Sequence, residues 1–277
     1  MHTPRLVIDV GMHTGEDTAY YLHRGFRVLA IEANPDLVQL GTRTFATAIA
    51  AGRLEILGVG IAAAAGEAEF HLSGSKSVWS SFSRDNAARG GSGYRTVRVP
   101  CLTFDRILAT HGVPHCLKID IEGSDRLCLQ ALQAGQSPEF ISLEMDHESA
   151  DVDLELLARL GYRSFQCIRQ TDFGAIHPGN IQAHITARRR ASALGPLGSA
   201  LRAGRGLVRR WRRPREGDWA FPPGASGPFG ESLPGPWLDS AQINRIWREL
   251  RDLNRTLSGA GLGDWFDIHA QQKGTGP

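Results

Sequence analysis

The hydrophobic positions at the start of the chain form two short continuous runs separated by a stretch with helical spacing. Leu6 to Val10 is a β-branched run without regular alternation, which is typical of a strand buried on both faces of a parallel sheet. A helix with acidic residues in its first turn is predicted between Gly15 and Gly25, and a second apolar run covers 27–31. The pattern predicts strand, glycine turn, helix and strand.

Strand-like and helix-like segments continue to alternate until about residue 187. The predicted helices begin at positions 35, 104, 124 and 151, and the predicted strands cover 54–61, 68–72, 96–102, 116–121, 140–145, 162–169 and 182–187. The first of these helices follows Asn34 as its N-cap and is predicted to run to about Gly52. This alternation predicts an α/β fold with a doubly wound, mostly parallel, Rossmann-like sheet. Its last two strands, 162–169 and 182–187, are predicted to pair antiparallel.

The character of the sequence changes after residue 187. Residues 188–215 contain ten arginines and no lysine or acidic residue, whereas 216–237 is rich in glycine and proline. Helical periodicity returns at 240–257. We therefore predict a domain at 1–187, an arginine-rich insertion at 188–215, and a region at 216–277 whose helix packs on the domain.

The Gly/Pro-rich stretch has two interpretations. It is either a linker to the last helix or a lid that covers a binding crevice with Phe221, Phe229 and Trp237.

Composition narrows the class of protein. With 277 residues, 42 % of them hydrophobic, the chain has enough material for one large α/β domain with additions or for two small domains. Its four cysteines show no metal-binding or disulfide spacing, which predicts buried, reduced thiols. The first strand begins too early for a signal peptide, and no apolar run is long enough to span a bilayer. We expect a cytoplasmic protein.

The arginine-rich segment allows three interpretations. It is a solvated insertion, a contact with a membrane surface or an acidic partner, or a nucleic-acid contact. A single aromatic residue, Trp211, and a pI of about 8.4 disfavour the nucleic acid.

The glycine turn after the first strand suggests the kind of ligand. The spacing is GxxxG, from Gly11 to Gly15, and Asp9 precedes it at the strand end. A pyrophosphate at this turn would face several carboxylates, so a cationic nucleoside suits the turn better. Glu32 follows the second strand, where an acid accepts hydrogen bonds from a ribose in related βαβ units.

Acidic residues end four of the predicted strands. They are Asp9, Glu32, Asp120 with Glu122, and Asp146 with His147. Ligands of open α/β sheets bind outside the carboxyl ends of the strands, so these residues are predicted to line one acidic crevice that selects a cationic ligand. Lys118, in the middle of a buried strand, is expected to pair with a carboxylate there, and the alternative that it faces a solvated edge stays open.

Several motifs together resemble the FkbM family of S-adenosylmethionine-dependent methyltransferases. They are DVGMHTGEDTAYYL, IEANP, SVWSS, VPCLTFDRIL, LKIDIEGSDRLCLQAL and FISLEMDH, within residues 6 to 187. KIDIEG is the most diagnostic of them. The resemblance implies a class I methyltransferase that uses S-adenosylmethionine, without a metal ion.

The resemblance also implies roles for individual residues. Asp9, Gly11, His13, Thr14 and Gly15 fall on the cofactor turn. Glu32 and Ala33 fall at the ribose, and Asp120 falls near the methionine end of the cofactor. Two departures stand out: His13 and Thr14 replace the usual DVGANIG pattern, and 59–61 lacks the small polar or acidic residues that commonly follow the third strand.

A hydroxyl acceptor would need a base to take its proton. The candidates are Asp120, Glu122, His147 and Asp146; we expect Glu122 or His147 to be the base and Asp120 to orient the cofactor. The same four residues could alternatively hold a divalent cation.

The predicted function is methyl transfer to a hydroxyl of a small metabolite, sugar or glycan. Two alternatives stay open: an RNA-directed methyltransferase, and a nucleotide-binding module without catalysis.

Overall fold

Short buried strands and amphipathic helices alternate along the first half of the chain. The computed structural model describes residues 4–88, 91, 93–121, 123–145, 150–194, 214–257 and 265–272. The chain divides into two units, 1–143 and 144–277, each described below by itself.

The first unit contains a five-stranded parallel sheet. Its strands are β1 (Leu6–Val10), β2 (Arg27–Ile31), β3 (Leu54–Leu57), β7 (Cys116–Ile119) and β8 (Phe140–Glu144), in the order β8-β7-β1-β2-β3. The helices are α1 (Glu16–His23), α2 (Pro35–Thr44), α3 (Ala46–Ala50), α4 (Arg84–Ala87), α5 (Phe104–His111) and α6 (Asp125–Gln130). β1 lies in the middle of this sheet and is buried along its whole length, as its apolar sequence predicts.

The first predicted strand, helix and strand are confirmed, and so is the cap of the next helix. The side chain of Asn34 accepts a 3.0 Å hydrogen bond from the amide of Asp36, and Pro35 occupies the first turn. The predicted single helix to residue 52 is instead two helices that meet at Phe45. A Cβ on Gly15 would lie only 2.4 Å from the Phe45 ring, so this ring packs directly on the turn after β1.

The predicted strand at 54–61 is wrong in its second half. β3 ends at Leu57, and β4 (Gly60–Ile61) belongs to a separate three-stranded sheet with β5 (Gly66–Ser73) and β6 (Tyr94–Leu102). The order is β4-β6-β5. This small sheet has its own apolar cluster, which comprises Phe70, Leu72, Val99 and Cys101 with Phe82 packed against them.

The second unit contains an antiparallel sheet in the order β10-β9-β13. Its elements are α7 (Ala150–Arg159), β9 (Ser164–Arg169), β10 (Gly174–Ile176), α8 (Ile181–Ala193), β11 (Arg215–Glu216), β12 (Trp219–Ala220), α9 (Ser240–Leu257) and β13 (Phe266–Gln271). The helix predicted at 240–257 is confirmed, and its predicted apolar positions are buried.

The predicted strand at 182–187 is wrong, because these residues lie inside α8. Ile181, His184 and Ile185 are its buried positions, and their spacing of three and four is helical. The antiparallel partner of β9 is β13, in which Phe266 lies opposite Arg169. A domain boundary at residue 187 would therefore separate β9 from its partner strand.

The Gly/Pro-rich stretch packs within the second unit. The ring of Phe221 contacts the ring of Phe173 edge-on at 5.2 Å, and Phe229 is buried. Leu238 exchanges two 2.8 Å backbone hydrogen bonds with Phe165 of β9. Two of the three aromatic residues assigned to a lid thus belong to the core of this unit, and the lid itself stays a prediction. Most of the arginine-rich segment lies outside the described residues.

All four cysteines are buried free thiols, as predicted. Within the described part of the chain, no helix combines the length and apolarity needed to cross a membrane.

The close packing at Gly11 predicts a large cost of adding a side chain there. A Cβ on Gly11 would lie 1.9 Å from the carbonyl oxygen of Asp120, and φ is +88°. Gly25 also has a positive φ, +84°, but has open space around it. We expect Gly25→Ala to lower the free energy of unfolding by about 1 kcal/mol, the cost of the backbone conformation alone. Gly11→Ala should lower it by about 3 kcal/mol or more, because overpacking is added.

Urea unfolding of both variants measures the difference. Equal losses in the two variants would show that the turn at Gly11 is not packed against Asp120.

Candidate functional site

The direction of the strand order reverses between β1 and β7. From β1 the chain moves to β2 and β3 on one side, and it later returns to β7 and β8 on the other side. Ligands of open α/β sheets bind at such a reversal, outside the carboxyl ends of the strands. The residues that follow β1, β2 and β7 therefore form the candidate site.

A buried lysine holds the two central strand ends together. The ammonium of Lys118 donates a 2.9 Å hydrogen bond to the carbonyl of Gly11. It also lies 3.4 Å from a carboxylate oxygen of Asp9, 3.6 Å from one of Asp120 and 3.7 Å from one of Asp17. Burial lowers the pKa of Lys118, but attraction to the three carboxylates outweighs burial and raises it overall. The prediction that Lys118 pairs with a carboxylate is confirmed.

The buried side chain of Asp9 supports the glycine turn that follows β1. Its side chain is 0 % exposed, and its second oxygen accepts a 2.6 Å hydrogen bond from the Thr18 hydroxyl. In the register of β1 and β7, Asp9 lies directly opposite Lys118. Asp9 is therefore held by Lys118 and Thr18, and its predicted place at the cofactor stays a prediction.

Glu32 presents a carboxylate that the backbone fixes in place. One oxygen accepts a 2.8 Å hydrogen bond from the amide of His13, and the other accepts a 2.8 Å bond from the amide of Asn34. The side chain is 9 % exposed, and burial raises the pKa of Glu32, although the two amides oppose this rise. Each oxygen has a further lone pair, so the carboxylate can accept two neighbouring hydroxyl groups.

The turn itself contains an unusual residue. His13 has φ of +53°, a conformation in which a side chain is unfavourable. Its Nε2 lies 2.7 Å from the hydroxyl oxygen of Ser77, and the Thr14 hydroxyl donates to Glu16. Burial raises the pKa of Glu16, but hydrogen bonds from His13 and Thr14 outweigh it and lower the pKa overall. Gly15, with φ of +93°, caps α1.

The turn after β7 is shaped by a residue that sequence reasoning missed. Asp125 accepts hydrogen bonds from the amides of Ile121, at 3.1 Å, and Gly123, at 3.0 Å. Burial raises the pKa of Asp125. Asp120, which begins this turn, has a side chain that is 37 % exposed. An acid in the first turn of a helix that follows a glycine was the available signal for Asp125.

The structure brings most of the predicted site residues to one edge of the sheet. These residues are Asp9, Gly11, His13, Thr14, Gly15, Glu32, Ala33 and Asp120. The other predicted catalytic residues, Glu122 and His147, lie outside the described residues, as does Asp146. Of the alternative set of four cation ligands, the structure therefore describes Asp120 alone.

The loop at 73–94 also reaches the site, through residues that sequence reasoning did not assign to it. It contains a 3-10 turn, Ser77–Trp79, and α4. Ser77 contacts His13. The side-chain nitrogen of Asn86 lies 3.6 Å from the position that a Cβ would take if Gly123 were replaced by a larger residue. The length of the loop and its SVWSS sequence were the only signals, and neither identifies a partner.

Comparison with known proteins identifies the family. The family model described as "Methyltransferase FkbM domain" matches residues 9–164, which is more than half of the chain. This match confirms the resemblance found in the sequence. No curated protein matches the chain.

Three of the solved structures that resemble the chain have TM-scores below 0.5. The C-terminal domain of precorrin-6Y C5,15-methyltransferase from Rhodobacter capsulatus is 17 % identical, with 61 % of this chain and 67 % of that chain covered and a TM-score of 0.35. A SAM-dependent methyltransferase from Thiobacillus denitrificans, in complex with S-adenosyl-L-homocysteine, is 9 % identical, with 99 % and 87 % covered and a TM-score of 0.36. A TehB-like SAM-dependent methyltransferase from Corynebacterium glutamicum is 9 % identical, with 61 % and 71 % covered and a TM-score of 0.34.

Removal of the buried ammonium should destabilise the first unit strongly. We expect Lys118→Met to lower the free energy of unfolding by about 3–5 kcal/mol at pH 8, because Asp9 becomes a buried charge without a counterion. Burial then raises the pKa of Asp9 above its unfolded value of about 3.9, so the folded state takes up a proton as the pH falls. The loss should therefore be smaller at pH 5 than at pH 8.

The double variant Asp9→Asn, Lys118→Met is the matched control, because it removes the ammonium together with the completely buried carboxylate of Asp9. Unfolding at both pH values measures all three proteins. A loss in the single variant that is independent of pH and equal to that of the double variant would contradict this account.

Proposed function

Because the chain belongs to the FkbM methyltransferase family, whose members use S-adenosylmethionine, we propose that it methylates a hydroxyl of a small metabolite, sugar or glycan. The methyltransferase activity and the cofactor follow from the family. The hydroxyl acceptor and the roles of individual residues are the proposed part.

The observation that carries the proposed cofactor site is the carboxylate of Glu32. Its two oxygens are oriented by the amides of His13 and Asn34, and both keep acceptor capacity. A ribose presents two adjacent hydroxyl donors, which matches such a carboxylate. Because Gly11 has no side chain, the turn after β1 can lie directly against the backbone of Asp120 at the end of β7. These residues fit the nucleoside part of the cofactor.

The charges at the site fit the other end of the cofactor. S-adenosylmethionine carries a sulfonium and an ammonium group. Lys118 interacts with Asp9, Asp17 and Asp120 together, so one cation faces three carboxylates. Asp120 is the most exposed of these carboxylates and is proposed to attract the methionine end of the cofactor.

In the proposed mechanism, the protein aligns the cofactor with the acceptor hydroxyl and accepts the proton of that hydroxyl. When bound, S-adenosylmethionine supplies a methyl group that positive sulfur already activates. Glu32 and Asp120 would hold the cofactor, and the protein would position the acceptor hydroxyl for attack on the methyl group. Glu122 or His147 would take the hydroxyl proton of the acceptor as the methyl group passes from the sulfur to its oxygen.

Replacement of Glu32 should weaken cofactor binding. In Glu32→Gln, one backbone amide would face an NH₂ group instead of an oxygen, so the side chain loses its orientation. We expect the Kd of S-adenosylmethionine to rise roughly 10- to 100-fold, as for the loss of one or two hydrogen bonds to a charged group. Glu55→Gln, on β3 and 52 % exposed, is the control and should bind like the wild type.

Calorimetric titration with S-adenosylmethionine, and with NAD for comparison, measures these affinities. Equal Kd values for Glu32→Gln and the wild type would remove Glu32 from the site.

Replacement of the proposed bases should reduce turnover without loss of cofactor binding. We expect Glu122→Gln or His147→Ala to lower kcat by roughly 100-fold or more, since a general base contributes about that much. The assay follows labelled methyl transfer from S-adenosylmethionine to a panel of sugars and hydroxylated metabolites, with RNA as a further acceptor. Transfer to RNA alone would refute the proposed acceptor class, and unchanged kcat in both variants would refute the proposed bases.

A further inference from the structure

A segment between β5 and β6 reaches both turns of the site. We call residues 74–88 the strap. At its base, the amide of Gly74 donates a 2.8 Å hydrogen bond to the carbonyl of Gly93. Its second half is fixed to the three-stranded sheet, because Ser81 and His71 exchange backbone hydrogen bonds of 2.9 and 3.0 Å. The first half of the strap extends from this fixed part toward the turn after β1.

The tip of the strap contacts that turn. The 3-10 turn Ser77–Trp79 forms the tip, and the Ser77 hydroxyl oxygen lies 2.7 Å from His13 Nε2. The ammonium of Lys76 lies 4.5 Å from the centre of the Trp79 ring, a cation–π contact that braces the tip. The strap therefore meets the site through one defined hydrogen bond.

The neighbouring hydroxyl indicates the direction of this hydrogen bond. The Thr14 hydroxyl donates its proton to Glu16, so its oxygen is available to accept a proton from His13 Nδ1, 3.4 Å away. In the neutral imidazole, Nε2 then carries no proton and accepts the hydrogen bond of Ser77. Glu16 thus orients the His13 ring toward the strap, both through Thr14 and through its own carboxylate, which lies 3.8 Å from Nδ1.

The backbone of His13 contacts the proposed ribose carboxylate at the same time. Its amide donates to Glu32 at 2.8 Å, and its left-handed φ of +53° permits this contact together with the contact to Ser77. A residue with a side chain is disfavoured in this conformation, and such strain is commonly found at functional sites. His13 is therefore the one described residue that links Glu32 to the strap tip by hydrogen bonds.

We infer that His13 and Ser77 are positioning residues that hold the strap closed over the bound cofactor. Release of the cofactor then requires the His13–Ser77 hydrogen bond to break. The inference deepens the proposed function and rests on the cofactor site at Glu32. It assigns the strap to retention of the cofactor.

Two variants remove the hydrogen bond in different ways. Ser77→Ala removes the hydroxyl, whereas His13→Gly removes the ring, keeps the amide that donates to Glu32 and suits the positive φ. Val78→Ala is the control, because Val78 lies in the same turn and is 47 % exposed. Stopped-flow displacement measures the dissociation rate of S-adenosylhomocysteine from each protein.

We expect Ser77→Ala and His13→Gly to release the ligand roughly 3- to 10-fold faster than the wild type, the effect of one neutral hydrogen bond. Val78→Ala should release it at the wild-type rate. His13→Gly should unfold at the same or a higher denaturant concentration than the wild type, because the strained residue is gone. Faster release from a protein of undiminished stability is not the result of general loosening.

Hydrogen exchange gives a readout without ligand. Amides of residues 74–80 should exchange faster in Ser77→Ala and His13→Gly than in the wild type and Val78→Ala. Equal dissociation rates or equal exchange across the four proteins would overturn the inference while cofactor binding by the wild type stands. Failure of the wild type to bind S-adenosylmethionine or S-adenosylhomocysteine would instead refute the proposed site and the inference with it.

Discussion

The buried ammonium of Lys118 is the interaction on which the geometry of the site depends. Carboxylates rarely lose their hydration unless a partner replaces it, and Asp9 is completely buried in the central strand. Lys118 replaces that hydration, because it lies opposite Asp9 in the strand register and also bonds to the carbonyl of Gly11. One side chain thus neutralises the strand and fixes the start of the glycine turn.

This arrangement gives different tasks to acids that look alike in the sequence. Asp9 and Asp17 are buried against Lys118 and serve the fold. Asp120 shares the same ammonium but keeps an exposed side chain, and Glu32 is oriented by backbone amides instead of a cation. Asp120, after β7, is therefore the most exposed of these acids, whereas Asp9 of β1 is enclosed by Lys118 and Thr18.

The sequence allowed correct prediction of features that local patterns encode. The unit from β1 to β2 has a continuous apolar run, a glycine turn and a capped helix, all of which are short-range signals. The burial of Lys118 with carboxylates was predictable because a charge in an apolar strand needs a partner. The segment at 182–187 was mistaken for a strand because a short mixture of apolar and polar residues fits the repeat of a strand as well as that of a helix. The burial of Ile181, His184 and Ile185 follows the helical repeat. Contacts such as that between Ser77 and His13 join residues 64 positions apart, and no local pattern specifies them.

The pairing of β9 with β13 has a consequence for biosynthesis. The two strands are separated by about 100 residues, so β9 emerges from the ribosome long before the strand that covers one of its edges. Until then its apolar side chains and unpaired backbone groups are open to association with other chains. The late synthesis of β13 therefore leaves the nascent second unit prone to aggregation until its last strand has been made.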